Sequence, residues 1–430
     1  MGESGLLARS PRPLIALMHR DVAQPGSALD WGSRGRGFES RHPDHFSRRT
    51  LIRVRPPFGF FVPIKQQGWY TDSRLALMHR VLLSAIVGIL LVIPTGLRAQ
   101  AEAPVLKQIR DYIESLRIQA GIPGLAVGVV GPGGIVWEQA FGRQDVERSI
   151  AARTDTPFHI DGITQLFTAS YLLRCVEDGR LSLDARIGDY RSDVPEPNAT
   201  IRQLLTHTSG PASNPTFQYR PERLDPLTTV VRACAIESFR GSTMNLIDRL
   251  AMRDSVPGPD APRLAPPAEG IPDAAAAQRY ARTLDRLAVP YRVDQRKRSS
   301  PSRYQATTLT PGGGMISTVR DLAEFDLGLK KGLLLLPQTL AFAWTPPTAN
   351  GQPLPHAVGW FSGTYSGERI VWQFGVSENA SSALMITMPE RQTTYILLAN
   401  STGLVEPAPT SVAQLVASPF VRVLLTLVVG

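Results

Sequence analysis

The stretch FHIDGITQLFTASYLLRCVEDGRLSLDARIGDY, residues 158–190, holds the side chains from which chemistry would be drawn. A short apolar strand runs into a tight turn, an amphipathic helix and a capped exit. The start of a helix offers free N–H groups and the positive end of its dipole, so a hydroxyl there is favoured as a nucleophile. A lysine one turn later lies on the same face and can take its proton. This sequence has Gly162 and Gln165 at those two places. Neither can be ionised to do that work. Thr164 is on the same helix but about 200° around from position 162, and Ser170 lies two turns further down. Asp161 reads as a carboxylate available for chemistry or, more plainly, as the cap of the helix at 162.

Few other residues suit chemistry. His159, His207 and His356 are the only histidines after residue 102 and lack metal-ligand spacing, so neither a metal nor another cofactor is expected. Lysine is scarce there too, at Lys107, Lys297, Lys330 and Lys331, all far in sequence from the turn at 162. Arginine supplies the rest of the positive charge and does not deprotonate in proteins. Cys175 and Cys234 are the only cysteines. An oxidising compartment would allow a bridge, but two buried thiols are preferred where geometry is unknown. Trp360 and Trp372 read as core residues.

The net charge of +9 over 430 residues invites a nucleic-acid reading, but residues 1–77 carry +6 of it, from 12 Lys+Arg and 6 Asp+Glu. Arg80 and Arg98 add two more, so residues 102–430 are nearly neutral and show no basic stripe; nucleic acid is not an expected partner. Residues 78–101, MHRVLLSAIVGILLVIPTGLRAQA, have a basic start, an apolar run, a helix breaker and a small-residue site, the three parts of a secretory signal peptide. Export is therefore expected, with a membrane partner only if the leader stays uncleaved. Residues 1–77 lack periodicity and are expected to be disordered upstream read-through, with translation starting at Met78.

The elements that must position the 158–190 segment follow from periodicity. Residues 103–118 place Val105, Ile109, Ile113 and Leu116 on one helical face. LAVGVV (125–130) and IVWEQAF (135–141) read as a hairpin, and ERIVWQF (368–374), SSALMITM (381–388) and TTYILLAN (393–400) as three later strands. Residues 162–310 are mostly helical with Pro-rich loops. They include a helix over 243–258, a low-complexity loop over 261–277 and a solvated basic loop over 295–303. Thr410–Leu427 is apolar at helical spacing. The expected fold is α/β: a five-stranded antiparallel sheet flanked by terminal helices, with an inserted α-rich part over about 162–310.

These pieces, in this order, resemble the serine hydrolases of the penicillin-binding-protein and class C β-lactamase family over residues 103–428. The resemblance rests on the 158–184 unit, on IRQLLTHTSG (201–210), GSTMNLIDRLAMRDSVPG (241–258), GGGMISTVRDLAEF (312–325), VGWF (358–361) and SALMITMPERQTTYILLANSTGL (382–404). It implies the β-lactamase/transpeptidase-like fold and an acyl-enzyme reaction that uses Ser-x-x-Lys, Tyr-x-Asn and Lys/His-x-Gly elements. Residue by residue, Gly162 stands at the nucleophile, Gln165 at the lysine, and Tyr219 at a Tyr-x-Asn element that has lost its asparagine. Gln373 stands at the basic residue of the late strand, with Gly375 kept. The backbone N–H groups of Gly162 and Val376 are the implied oxyanion hole, and His207 would stabilise its turn. The expectation is a non-catalytic relative whose old cleft holds a peptide, a peptidoglycan fragment or a protein partner. The alternatives are a hydrolase using Thr164 or Ser170, and a decaying gene with no selected function.

Overall fold

The computed structural model describes residues 104–210, 216–235 and 237–429. The expected leader and upstream extension lie outside the described residues. No helix among those described is long and apolar enough to cross a membrane.

The chain opens with α1 (Pro104–Ala120). A hairpin of β1 (Gly124–Gly131) and β2 (Gly134–Asp145) follows, with a short β3 (Ile150–Ala151). The helical part comprises α2 (Thr164–Glu177), α3 (Ile201–Leu205), α4 (Leu227–Ala235), α5 (Phe239–Arg249) and α6 (Ala274–Leu284). α7 (Val319–Lys330) and α8 (Pro337–Ala343) lead back to the sheet. Strands β4 (Phe361–Tyr365), β5 (Glu368–Ser377), β6 (Ser381–Met388) and β7 (Thr393–Ala399) complete it. α9 (Val412–Ala417) and α10 (Pro419–Val429) close the chain. The sheet order is β4-β5-β6-β7-β1-β2-β3, every pair antiparallel.

The sheet has seven strands, not the expected five. The two extra strands are its edges. FSGTY lacks a sustained apolar run and Ile150–Ala151 is only two residues long, so neither carries a strand signal in sequence.

Both faces of the sheet are covered. Ile109, Ile113 and Leu116 of α1 and Val421 and Leu424 of α10 pack with Leu125, Val127 and Leu384 on one face. Phe167 and Leu173 of α2 and Val319 and Leu322 of α7 pack with Ala126, Val130 and Met385 on the other. A strand buried on both faces reads as a continuous apolar run, which is why β1, β6 and β7 stand out in the sequence. Gly128 lets α7 close on the sheet, because a Cβ there would lie 2.3 Å from Val319 Cγ1.

Local expectations change in four places. The helix expected over 243–258 runs instead over Phe239–Arg249: Ser238 caps its start by accepting from the Gly241 N–H, and the chain leaves it through Ala251 at φ 54°. The low-complexity stretch contains the start of α6, capped by Asp273, which accepts from the Ala276 N–H. Part of the basic loop, Ser299–Pro301, pairs with Tyr291–Val293. Cys175 and Cys234 form a disulfide that ties α2 to α4 across 59 residues, rather than staying free thiols.

Candidate functional site

The site is built where the turn before α2 meets β5. Phe158–His159 pairs with Ile316–Ser317, and the Ile160 N–H donates to Met315 O at 3.0 Å. The chain then tightens into a 3-10 turn, Asp161–Ile163, with Asp161 at φ 42°. A non-glycine residue in this left-handed region costs backbone energy, which the packed surroundings hold in place. The turn lies directly against β5. A Cβ on Gly375 would sit 2.0 Å from Ile160 O and 2.9 Å from Gly162 N. A Cβ on Gly162 would sit 2.4 Å from Phe374 O and 2.7 Å from the Tyr219 hydroxyl. Two glycines thus allow backbone to meet backbone, and the space a nucleophile's side chain needs is filled by a strand carbonyl.

Gln165 is fully buried within a neutral hydrogen-bonded chain. The Arg220 N–H donates to His207 Nδ1 at 3.2 Å, so the ring carries its proton on Nε2. That Nε2–H donates to Gln165 Oε1 at 2.9 Å, and Gln165 Nε2 donates to the Tyr219 hydroxyl at 2.8 Å. Burial holds the His207 pKa down to about 3, so the imidazole stays neutral, and burial raises the Tyr219 phenol above its ordinary value. The chain runs from a backbone N–H to a protonated phenol and contains no base. His207 holds its turn as expected, through these bonds.

Gln373 is likewise buried. Its Nε2 donates to Gly359 O at 3.0 Å, and its Oε1 accepts from the Phe374 N–H at 3.0 Å. His356 donates from Nδ1 to Ala357 O and presents Nε2 to Gln373 at 3.5 Å. The rings of His207, His356, Tyr219, Phe361 and Phe374 pack together behind the turn.

Asp161 does not cap α2, which has no side-chain cap at its start. Its carboxylate accepts from the Ser381 hydroxyl at 2.9 Å instead. Burial raises its pKa to about 6, opposed by the Ser381 bond. His159 stacks on Tyr304, with its Nδ1 4.0 Å from Asp161, and burial lowers its pKa to about 3.

The two candidate replacement nucleophiles are both spent in the fold. Thr164 is fully buried and its hydroxyl accepts from the Met315 N–H at 3.3 Å. Ser170 donates to Leu166 O at 2.7 Å. Neither lines the groove beside the turn.

That groove, of about 530 Å³, is walled by the 3-10 turn, Tyr219, residues 221–225, residues 305–314 and Val376. The structure brings Gly162, Tyr219 and Val376 together on it, with Gly375 against the turn; Gln165 and Gln373 lie behind it. Its ionisable lining is Asp161, Tyr219, Glu222 and Asp225, with no basic side chain among the described residues. No cluster of metal-ligating side chains occurs among the described residues. Sequence reading missed Ser381, Glu222 and Asp225, which no motif marks, and gave His356 no place at the site.

The sequence profile of the Beta-lactamase family matches residues 109–244 and 250–417. The chain is 30% identical to the mitochondrial serine beta-lactamase-like protein LACTB of Homo sapiens over 115 residues, 25% of this chain and 21% of that protein. It is 25% identical to Protein flp of Staphylococcus aureus (strain MW2) over 321 residues, 68% of this chain and 63% of that protein. The chain thus spans about a fifth of the first relative and under two thirds of the second. In fold it is similar to the octameric penicillin-binding protein homologue from Pyrococcus abyssi, with a TM-score of 0.56 at 19% identity, covering 70% of this chain and 74% of that one. It is also similar to the class C beta lactamase from Rhodobacter sphaeroides, with a TM-score of 0.54 at 18% identity, covering 74% and 97%. With its strand–turn–helix site and the match across most of its described length, the chain belongs to the β-lactamase family of serine hydrolase folds.

Proposed function

We propose that this protein is a non-catalytic, exported member of its family that holds a peptide or cell-wall fragment without acylation. The observation that carries the reading is the Phe374 carbonyl, 2.4 Å from where a nucleophile's Cβ would stand. The neutral His207–Gln165–Tyr219 chain supports it, since no group there accepts a proton near neutral pH. The groove remains open beside the shut turn, and its acidic lining favours a ligand with a cationic group. The Cys175–Cys234 bridge supports export, because such bonds persist in oxidising compartments.

The test is incubation of the purified protein with a fluorescent penicillin and a chromogenic ester, read by intact mass and by absorbance. No adduct and no turnover above a heat-denatured control is the expected result. A stoichiometric adduct would overturn the reading, and the labelled peptide would identify the nucleophile.

A further inference from the structure

We propose that the open edge of β4 is a second binding site, taking a short extended peptide with neutral side chains by backbone pairing. A cavity of about 480 Å³ lies along this edge, between the end of α8 and the start of α9, and shares no lining residue with the groove.

The edge supplies the first observation. The Ser362 N–H donates to Pro355 O at 2.9 Å, so Ser362 turns its backbone away from β5. Residues of an antiparallel pair alternate in this respect, so Thr364, two residues on, presents its N–H and C=O outward as well. Neither group has a hydrogen-bond partner outside the sheet among the described residues. An unpaired strand edge is a template for a further strand, and main-chain bonds supply the affinity of such an addition.

Two side-chain donors on the same cavity supply the second. Trp344 Nε1 and Arg369 Nε are shielded from solvent and make no hydrogen bond among the described residues. An unpaired N–H is unfavourable, and two on one cavity call for an occupant that presents acceptors, as peptide carbonyls do. Trp372, the other indole on the wall, is already spent on Pro409 O at 2.7 Å. Arg369 stands directly opposite Thr364 in the β4–β5 register, which sets its donor beside the free backbone edge.

The charge on the wall selects a neutral occupant. Arg369 is the only ionisable side chain in the lining among the described residues, and its Nη2 lies 3.2 Å from Glu390 Oε1, so its charge is already met. Pro346, Pro353, Leu354 and Val412 supply apolar surface for the peptide's side chains.

The competing account is that water satisfies the donors and the edge. Titration of the purified protein, isotopically labelled at tryptophan, with acetyl-Ala-Val-Ala-amide separates the two. The readout is the Trp344 indole N–H resonance, assigned from its loss in Trp344→Phe. A saturable shift of that resonance is expected. The same peptide with its backbone amides N-methylated cannot donate to the Thr364 carbonyl, and should bind roughly ten-fold or more weakly. Arg369→Lys keeps the charge beside Glu390 but loses the Nε–H, and should weaken binding several-fold. The absence of a saturable shift, equal binding of the methylated peptide, or indifference to Arg369→Lys would each overturn the assignment.

Discussion

Placing a serine at position 162 is the direct test of whether the site is shut or merely lacks a side chain. The new Cβ would lie 2.4 Å from Phe374 O and 2.7 Å from the Tyr219 hydroxyl. The first is a backbone atom in β5, where Phe374 pairs with Leu384 of β6, so it cannot yield as a flexible side chain would. Crowding of this kind costs about 1–3 kcal/mol. Replacing glycine also restricts the unfolded chain and returns about 0.4–1 kcal/mol, since position 162 does not need a positive φ. The expected net effect of Gly162→Ser is a loss of about 1–2 kcal/mol, read as a lower urea midpoint at unchanged slope. Gly313→Ala is the matched control in the same groove, because its nearest neighbour, Asp161 O, is at an ordinary 3.6 Å. It should lie within about 0.5 kcal/mol of the parent. The serine variant should also stay unlabelled by fluorescent penicillin, for want of a base at 165. A Gly162→Ser protein as stable as the parent, or one that labels, would refute the closed-site argument.

Two further predictions follow from the same geometry. Gln165→Lys puts an ammonium among neutral groups and removes the acceptor for His207 Nε2–H, so it should cost about 3 kcal/mol or more by denaturant titration, with no gain in hydrolysis. Asp161→Asn tests the raised carboxyl. The folded pKa of about 6 lies above the ordinary 3.8, so the folded state keeps its proton where the unfolded state loses it. The stability Asp161 contributes is then fully present below about pH 4, is lost as pH rises to about 6, and is flat above, an amplitude of about 3 kcal/mol. The Asp161→Asn variant should flatten that part of the profile and be the more stable protein at about pH 7.5. Asp321, whose pKa burial also raises to about 6, will keep its own share of the slope.

How much was legible in the sequence depended on whether the signal was local. Apolar runs marked β1 and β5 through β7 because strands buried on both faces are continuous. The edge strands stayed hidden because half-exposed pairing leaves no apolar run. Positions 162 and 165 were readable because a helix fixes their relation within four residues. The obstruction at 162 was not, since a backbone carbonyl such as that of Phe374 writes nothing into the sequence. The Ser381–Asp161 bond joins residues 220 apart in sequence, and the Cys175–Cys234 bridge depended on how two helices pack.

The setting of Gly162, Gln165 and Gln373 also bears on the proposed reading. A gene drifting without selection would drop charged catalytic groups one at a time and leave their buried partners orphaned. Around this turn His159 Nδ1 is left unpaired, but the groups at positions 165 and 373 and their neighbours are partnered. Gln165 uses both ends of its amide, on His207 and Tyr219, and Gln373 uses both of its own, on Gly359 and on its neighbour's N–H. His207 and His356 are both hydrogen-bonded and neutral. The Phe374 carbonyl fills the space beside Gly162, and Gly375 lets the turn approach the strand. Each replacement makes sense only with the others in place, since a lysine at 165 would find neutral neighbours and a side chain at 162 would force the strand away. Such mutual fit is what packing selection leaves behind. It supports the proposed reading, in which the hydrogen-bonded unit at Gln165 and Gln373 is neutral and a ligand is to be sought in the open groove.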